Sequence, residues 1–406
     1  MQTSEGATQE RVEPQGSGTH SPADAPKGPR KIAFIKRGLF SYSNPRTGEQ
    51  LRRTFPGYEV EELDVLEDIL KKNKHVVAIN LLCIVLRYWR ELLSRRQTFR
   101  SCFYRTPYIF RKIRQLVRAR LEPKKHEYAF SIQTQSLYDA SIPGLTHFVY
   151  TDHAHLTNLQ YPGFSRSELF SRAWIDLEAE VYRHADHVFV MSEHVRKSLI
   201  DLYGCDPDKS SCIFAGSNID PTPIPLENND YQNQTVIFVG LYWERKGGPE
   251  LCEAFQRVLA KMPNARLVIV GSSPEIRNPQ IEIVGKVPRE EVKRRLAQAS
   301  VFCMPTRVEP FGIAVVEAFL HKLPVITTNI GAMPGLVHPG KTGILVPPED
   351  PSALAAAMLE LLGDPAKCRQ YGEQGRELVQ ELYSWDETGK KLHAQIVATL
   401  QSTPRP

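Results

Sequence analysis

The run Val308-Glu309-Pro310-Phe311-Gly312-Ile313-Ala314-Val315-Val316-Glu317-Ala318-Phe319 decides how the rest of the chain is read. Pro310 disfavours the helical region for the residue before it, so Glu309 is expected in a loop. Gly312 lets a ligand come close to the backbone. A helix is expected from about Ile313, with Glu317 one turn in. The N–H groups of its first turn have no partner within the helix and lie at the positive end of its dipole, which makes a seat for phosphate. Carboxylates do not bind phosphate, but they accept hydrogen bonds from hydroxyls. One acid on either side of an anion seat points to a ligand with sugar, diphosphate and ribose in a row.

The flanks extend this reading. Upstream, Ala299-Ser300-Val301-Phe302-Cys303-Met304-Pro305 is an apolar strand ending in a turn. Downstream come Leu323-Pro324-Val325-Ile326-Thr327-Thr328, then Gly331, then the stretch from Gly340 through Thr342-Gly343-Ile344-Leu345-Val346 to Pro348. Strand, Glu loop, helix, Pro-Val-Ile strand, Gly loop and Thr-Gly-x-Leu-Val strand together resemble the retaining GT-B glycosyltransferases, chiefly family 4, with their Glu-x7-Glu signature. The resemblance implies an α/β fold of two doubly wound Rossmann-like domains facing across a cleft. Lys322 stands where the family usually has Gly; it is expected at a helix C-terminus, where a cation is tolerated.

Elsewhere the chain alternates strands and helices, as an open parallel sheet requires. Expected strands are Lys31–Lys36, Tyr58–Leu63, Glu127–Ile132, His147–Tyr150 and Asp186–Ser192, with a helix around Ser167–Arg183 and an N-cap at Ser192. A Pro- and Asn-rich stretch, Ile219–Asn233, reads as a linker. The pattern restarts at Thr235–Gly240 and continues through Arg266–Gly271 and Ile281–Gly285. The expected organisation is a disordered tail over 1–30, a first Rossmann-like domain over 31–218 and a nucleotide-sugar domain over 219–383. A final helix over 384–406 is expected to cross back to the first domain, as the resemblance implies.

The resemblance also assigns roles. Gly240-Leu241-Tyr242-Trp243-Glu244-Arg245-Lys246-Gly247-Gly248 follows the first strand of the second domain. Family members place an Arg and a Lys there on the donor diphosphate. Lys246 matches the Lys; Leu241 occupies the usual Arg position, and Arg245 is the nearest substitute. Glu317 is expected on the ribose hydroxyls and Glu309 on the transferred sugar. The backbone N–H groups of Phe311, Gly312 and Ile313 are expected on the sugar or diphosphate. Residues 284–287 fall where family members bracket the base. In the first domain, Tyr150-Thr151-Asp152-His153-Ala154-His155 ends a strand. Related enzymes often carry a His near this position; His153 is the first candidate, His155 the second, and Asp152 a candidate orienter of the imidazole. Gly38, in the turn after the first strand, would let the donor approach from the opposite side.

Composition bounds the partners. Seven cysteines, an odd number without close metal-type spacing, fit buried free thiols in a reducing cytoplasm. The first thirty residues lack an apolar signal-peptide core. The net charge is +5, but Lys71–Arg120 holds fourteen Lys or Arg against one acid, Glu91, and so carries +13. Its apolar part, Val76–Leu86, is too short to span a bilayer. Basic and aromatic residues beside an apolar stripe suit a helix lying on an anionic membrane surface; a core-packed helix with a solvated basic face is the plainer alternative. No recognised motif supports nucleic acid. No metal-binding Asp-x-Asp motif occurs, and although the spacing of Asp152, His153 and His155 could hold a metal, no further ligand is evident nearby. The expected activity is retaining, metal-independent glycosyl transfer without a cofactor. The donor is a nucleotide sugar, and the acceptor a glycan or a lipid-linked, cell-envelope precursor. The rivals are a GT-B nucleotide-sugar 2-epimerase and a non-catalytic binding protein. An NAD-dependent dehydrogenase is disfavoured, because no G-x-G-x-x-G follows a strand.

Overall fold

The computed structural model describes residues 31–40, 42–219 and 230–402. The expected tail and most of the expected linker lie outside the described residues. Two parallel sheets of six strands each carry the chain. The first contains β1 (Lys31–Lys36), β2 (Glu59–Asp64), β3 (Tyr128–Thr134), β4 (His147–Thr151), β5 (His187–Val190) and β6 (Ser210–Cys212), in the order β2-β1-β3-β4-β5-β6. The second contains β7 (Thr235–Val239), β8 (Arg266–Val270), β9 (Ile281–Gly285), β10 (Val301–Met304), β11 (Val325–Thr328) and β12 (Gly343–Val346), in the order β12-β11-β10-β7-β8-β9. Every residue of β3, β4, β5, β10 and β11 is buried. That explains why these strands read as continuous apolar runs rather than alternating ones.

The helices of the first half are α1 (Ser43–Thr54), α2 (Lys74–Leu93), α3 (Phe99–Cys102), α4 (Pro107–Leu121), α5 (Arg172–His184) and α6 (Glu193–Tyr203). Those of the second are α7 (Gly248–Leu259), α8 (Arg289–Ala297), α9 (Ile313–Leu320), α10 (Met333–Leu336), α11 (Pro351–Leu362), α12 (Pro365–Leu382) and α13 (Trp385–Ser402). Sequence-local chemistry sets several starts. Thr106 and Asp364 cap helices whose first residue is proline. Ser192 caps α6 through the Val195 N–H.

Three expectations need correction. The helix expected from Ser167 begins at Arg172, after a separate 3₁₀ turn over Arg166–Glu168. Strand β6 was not foreseen: it is a three-residue edge strand rich in Ser and Cys. Lys322 is not simply a cation at a helix end. Its φ is 55°, in the left-handed region, and its carbonyl accepts the Tyr231 hydroxyl at 2.7 Å. The family preference for Gly there is therefore conformational, and a lysine bears about 1–2 kcal/mol of backbone strain.

In the second sheet the strand order reverses between β7 and β10, and in the first between β1 and β3. Crevices open beyond the carboxyl ends of strands at such switch points. The two halves meet there. Ser192 Oγ donates to the Pro310 carbonyl at 2.7 Å, and Trp385 Nε1 donates to the Ser217 carbonyl at 2.9 Å. The Arg289 guanidinium lies 3.4 Å from the Tyr42 ring centroid. Helix α13 returns to α1 of the first half, where the Phe55 and His393 rings meet tilted with centroids 4.7 Å apart. All seven cysteines are free.

Candidate active site

The loop after β7 folds into a tight turn. The Lys246 N–H donates to the Tyr242 carbonyl at 2.9 Å, and the Gly247 N–H to the Glu244 carbonyl at 3.1 Å. Gly247 has φ 75°, and the Pro305 carbonyl oxygen lies 1.8 Å from where a Cβ would stand. Only glycine fits against the end of β10 in that conformation. The turn places the Lys246 ammonium in an ion pair with the Glu309 carboxylate, with side-chain exposures of 11% and 8%. Burial lowers the Lys246 pKa, and the charge of Glu309 opposes that shift. Beside it, Arg245 Nη1 donates to the Val308 carbonyl at 2.7 Å and stacks 5.1 Å from the Tyr242 ring. Gly240 closes the strand, its N–H donating to the Val270 carbonyl at 2.9 Å. Lys246 and Glu309 are 63 residues apart, one following β7 and the other following β10. Their meeting is a product of the switch point.

Helix α9 starts at Ile313 with Gly312 as its N-cap at φ 106°. Val315 and Val316 are the first to donate back to the Gly312 carbonyl, which leaves the preceding N–H groups, those of Ile313 and Ala314 included, without a carbonyl in the helix to reach. Glu317 is buried one turn further on. Burial pushes its pKa up to about 7, with Arg289 and an Asn218 backbone hydrogen bond opposing.

The first half supplies Asp152 and His153 after β4. Asp152 is pushed up to about 6, mainly by burial and then by the charge of Glu309, so the two carboxyls act on one another across the cleft. Burial holds His153 down at about 3, with Arg105 adding to the effect. The His153 Nδ1 is buried without a hydrogen-bond partner. Asp152 therefore does not hold the imidazole through that nitrogen. His155 lines the same cavity as Asp152 and His153, with both ring nitrogens engaged. Its Nε2 accepts the Phe170 N–H at 3.0 Å, and its ring packs 5.2 Å from Trp174. Its second nitrogen lies 3.4 Å from Asn158. These contacts make it a brace for the segment before α5. Gly38 has φ 54° with nothing within 4 Å of a notional Cβ, and its N–H donates to Asp64 at 2.9 Å.

A cavity of about 940 Å³ gathers Asp152, His153 and Arg245 with Arg37, Arg105 and Pro310. The Phe311 side chain is not part of it; it is buried and lines a separate cavity of about 310 Å³ beside Tyr383. Sequence reading did not single out Arg105, hidden in the basic stretch. It also missed Tyr161, whose hydroxyl pKa is raised by burial and then by Glu309. Nor did it single out Arg289, which reaches both Tyr42 and Glu317.

Two six-stranded parallel domains enclosing such a cleft define the GT-B class. Comparison with known proteins agrees. Residues 87–220 match the family described as Glycosyltransferase Family 4, and residues 233–364 match Glycosyl transferases group 1. The chain belongs to these family 4-like GT-B glycosyltransferases. Over 177 residues it is 33% identical to the GDP-mannose-dependent monoacylated alpha-(1-6)-phosphatidylinositol monomannoside mannosyltransferase of Corynebacterium glutamicum, covering 40% of this chain and 45% of that protein. Over 251 residues it is 30% identical to the alpha-maltose-1-phosphate synthase of Mycolicibacterium smegmatis, covering 52% and 62%. The chain thus spans about half the length of the curated relatives it matches. Among solved structures, sucrose-phosphate synthase of Thermosynechococcus elongatus superposes with a TM-score of 0.64 at 19% identity, over 92% of this chain and 100% of that one. A glycosyltransferase of Rickettsia africae gives 0.63 at 16%, over 92% and 99%. Among the described residues, no group of three His, Cys, Asp or Glu is arranged to hold a metal ion, and no helix is long and apolar enough to cross a membrane.

Proposed function

We propose that this protein transfers a sugar from a nucleotide-sugar donor to an acceptor hydroxyl with retention of configuration. The observation that carries the reading is the meeting of Lys246 and Glu309 at the β7/β10 switch point, with the Glu309 charge acting on Asp152 of the other domain. Lys246 and Arg245 take the donor diphosphate together with the N–H groups of Phe311, Gly312 and Ile313. A cation about 4 Å from the leaving group contributes roughly 4 kcal/mol at an effective dielectric near 20, before desolvation costs. Two cations and a helix terminus fill the role a metal ion would otherwise take. Glu317 accepts from the ribose, and Glu309, released from Lys246, accepts from the sugar hydroxyls. On one face of the sugar the acceptor oxygen bonds to the anomeric carbon as the bond to phosphate breaks. The acceptor proton passes to the departing phosphate oxygen, so a neutral His153 positions rather than abstracts. The acceptor is a glycan or a lipid-linked precursor, in keeping with the phosphatidylinositol mannoside named for one relative. The protein works at the cytoplasmic side, at the inner face of the membrane.

A panel of UDP-, GDP- and ADP-sugars tests the reading. One sugar nucleotide raises the melting temperature and yields nucleoside diphosphate together with a glycosylated product. An epimerised nucleotide sugar with no acceptor product would make the protein a 2-epimerase. Donor binding without turnover, unchanged in Glu309→Ala, would make it a binding protein.

A further inference from the structure

The large cavity does not end at Asp152 and His153. It runs outward past Arg37 and Arg105 to Leu81 and Phe99, which stand at the surface. Its middle is a cationic pocket. The Arg105 guanidinium sits 4.7 Å from the Phe170 ring and 5.5 Å from Trp174, and donates to the Ser101 carbonyl at 2.6 Å. Its Nε is buried without a hydrogen-bond partner. The acid whose charge it feels, Glu178, is already engaged by Ser136 and the His155 N–H. Arg37 donates to Gln135 at 3.0 Å and lies 4.6 Å over Tyr104. Neither arginine forms an ion pair among the described residues. Two half-buried guanidiniums held by rings and neutral acceptors leave positive charge facing the cavity, where an anionic group satisfies it.

The outer end is apolar. Helix α2 buries Val76, Asn80, Ile84 and Tyr88, four residues apart, on the domain. The opposite face carries Ile79, Leu82, Leu86, Trp89 and Leu93, all exposed, with Leu86 at 70% and Leu93 at 76%. Their spacing of three and four residues makes a continuous stripe. A stripe of this size on a soluble domain marks an interaction surface. Arg87, Arg90, Arg95, Arg96 and Arg100 lie within and just beyond this helix. Apolar side chains ringed by arginine match the interface of an anionic bilayer. Leu81 and Phe99 belong both to this exposed surface and to the cavity wall, so the surface and the arginine pocket are continuous.

We propose that the acceptor is an anionic amphiphile. Its phosphate-bearing head lies between Arg37 and Arg105, and its acyl chain leaves past Leu81 and Phe99 onto α2, which rests on the bilayer that supplies it. The word acceptor rests on the transferase reading; the lipid site does not. Two donor-free experiments on the full chain test it. In vesicle sedimentation, binding to phosphatidylcholine containing phosphatidylglycerol should exceed binding to phosphatidylcholine alone. The fully surface-borne double variant Leu82→Glu/Leu86→Glu should lower it by about tenfold or more. In thermal shift, dihexanoyl phosphatidylglycerol should raise the melting temperature more than glycerol phosphate does. Arg105→Gln should abolish that response while vesicle sedimentation persists; Arg37→Gln serves the same end if Arg105→Gln does not fold. Equal binding to neutral vesicles, no binding at all, or a short-chain lipid response unaltered in both arginine variants would overturn the proposal. So would a change in oligomeric state, rather than in lipid binding, on altering Leu82 and Leu86, which would assign α2 to a second copy of the chain. Absence of sugar transfer alongside lipid binding would refute only the transferase reading.

Discussion

Replacing Lys246 with methionine removes the ammonium that Glu309 holds while keeping most of the side-chain volume. Both partners are nearly buried, with side-chain exposures of 11% and 8%. Removing one partner of such a pair strands the other charge and costs about 3–5 kcal/mol. The stranded carboxylate also faces Asp152, whose pKa is already raised to about 6 with Glu309 among the causes. Repulsion across the cleft should then grow, and Asp152 should hold its proton to higher pH. Glu309→Gln should cost a similar amount by stranding Lys246. The double variant Lys246→Met/Glu309→Gln leaves no orphan charge, so it should unfold closer to the parent than either single variant. Urea unfolding of all four proteins measures this, because interaction energies of contacting residues appear as departures from additivity. Turnover should follow a different pattern. Lys246→Met should lower it by at least about tenfold, or roughly 1.4 kcal/mol, and the double variant should not recover it, because the leaving diphosphate still lacks its cation. Stability losses that simply add would refute the coupling. A folded Lys246→Met protein with parental turnover would remove Lys246 from the chemistry.

Burial raises Glu317 to about 7. Between its ordinary value near 4.5 and about 7, the unfolded chain is ionised while the native state keeps the proton. Stability relative to Glu317→Gln should therefore fall as pH rises through that window, by on the order of 3 kcal/mol in all; parallel denaturation curves of the two proteins at several pH values decide this. If the ribose hydroxyls bind the ionised carboxylate, donor binding should release a proton near pH 7, seen by calorimetry in buffers of different ionisation enthalpy and absent in Glu317→Gln. His153, held at about 3, stays neutral across the working range, so His153→Ala should lower the rate without removing a limb of the pH–rate profile; loss of a limb near neutrality would make it a titrating catalyst. Gly38→Ala meets no atom within 4 Å and should cost only the left-handed strain of about 1–2 kcal/mol. A larger loss measured as donor affinity would report a donor passing that turn, and unchanged affinity would deny it.

The middle of the second sheet was legible because β10 and β11 are buried on both faces. Val301–Met304 is a contiguous apolar run and Val325–Thr328 a β-branched one, with turn residues around them, and Gly312 marks the helix start that the structure has. Position 322 was harder. A lysine at a helix end reads as electrostatics, whereas its φ of 55° makes it a question of backbone. The Asp152, His153 and His155 cluster was visible as a cluster, but its internal wiring was not. His155 lines the cavity too, but its Nε2 is taken by the Phe170 N–H and its ring packs on Trp174, both from the next segment. The basic stretch was the least legible. Composition marks Lys71–Arg120 as positive, but not which arginines face solvent and which face the cavity. Arg105 gains its meaning from Phe170 and Trp174, more than sixty residues later in the chain, and no local pattern encodes that.

The two readings open for the basic stretch do not compete on α2: the core-packed face is observed, and the membrane-facing role is what we propose for the other face. One face, Val76 to Tyr88, packs on the domain as a core helix does, and Asn80 within it donates to the Phe103 carbonyl at 2.8 Å. That anchoring fixes the rotation of the helix about its axis. The exposed apolar stripe is therefore held on the face opposite Val76, Asn80, Ile84 and Tyr88, with Leu81 of the cavity wall on the flank between the two faces. A helix held only by a membrane could roll, and its stripe would bear no fixed relation to the cleft. On our proposal, one pinned by Asn80, Ile84 and Tyr88 would hold the bilayer in a fixed relation to the pocket that Asp152 and His153 line. An amphiphile would then reach the reacting end without leaving the interface.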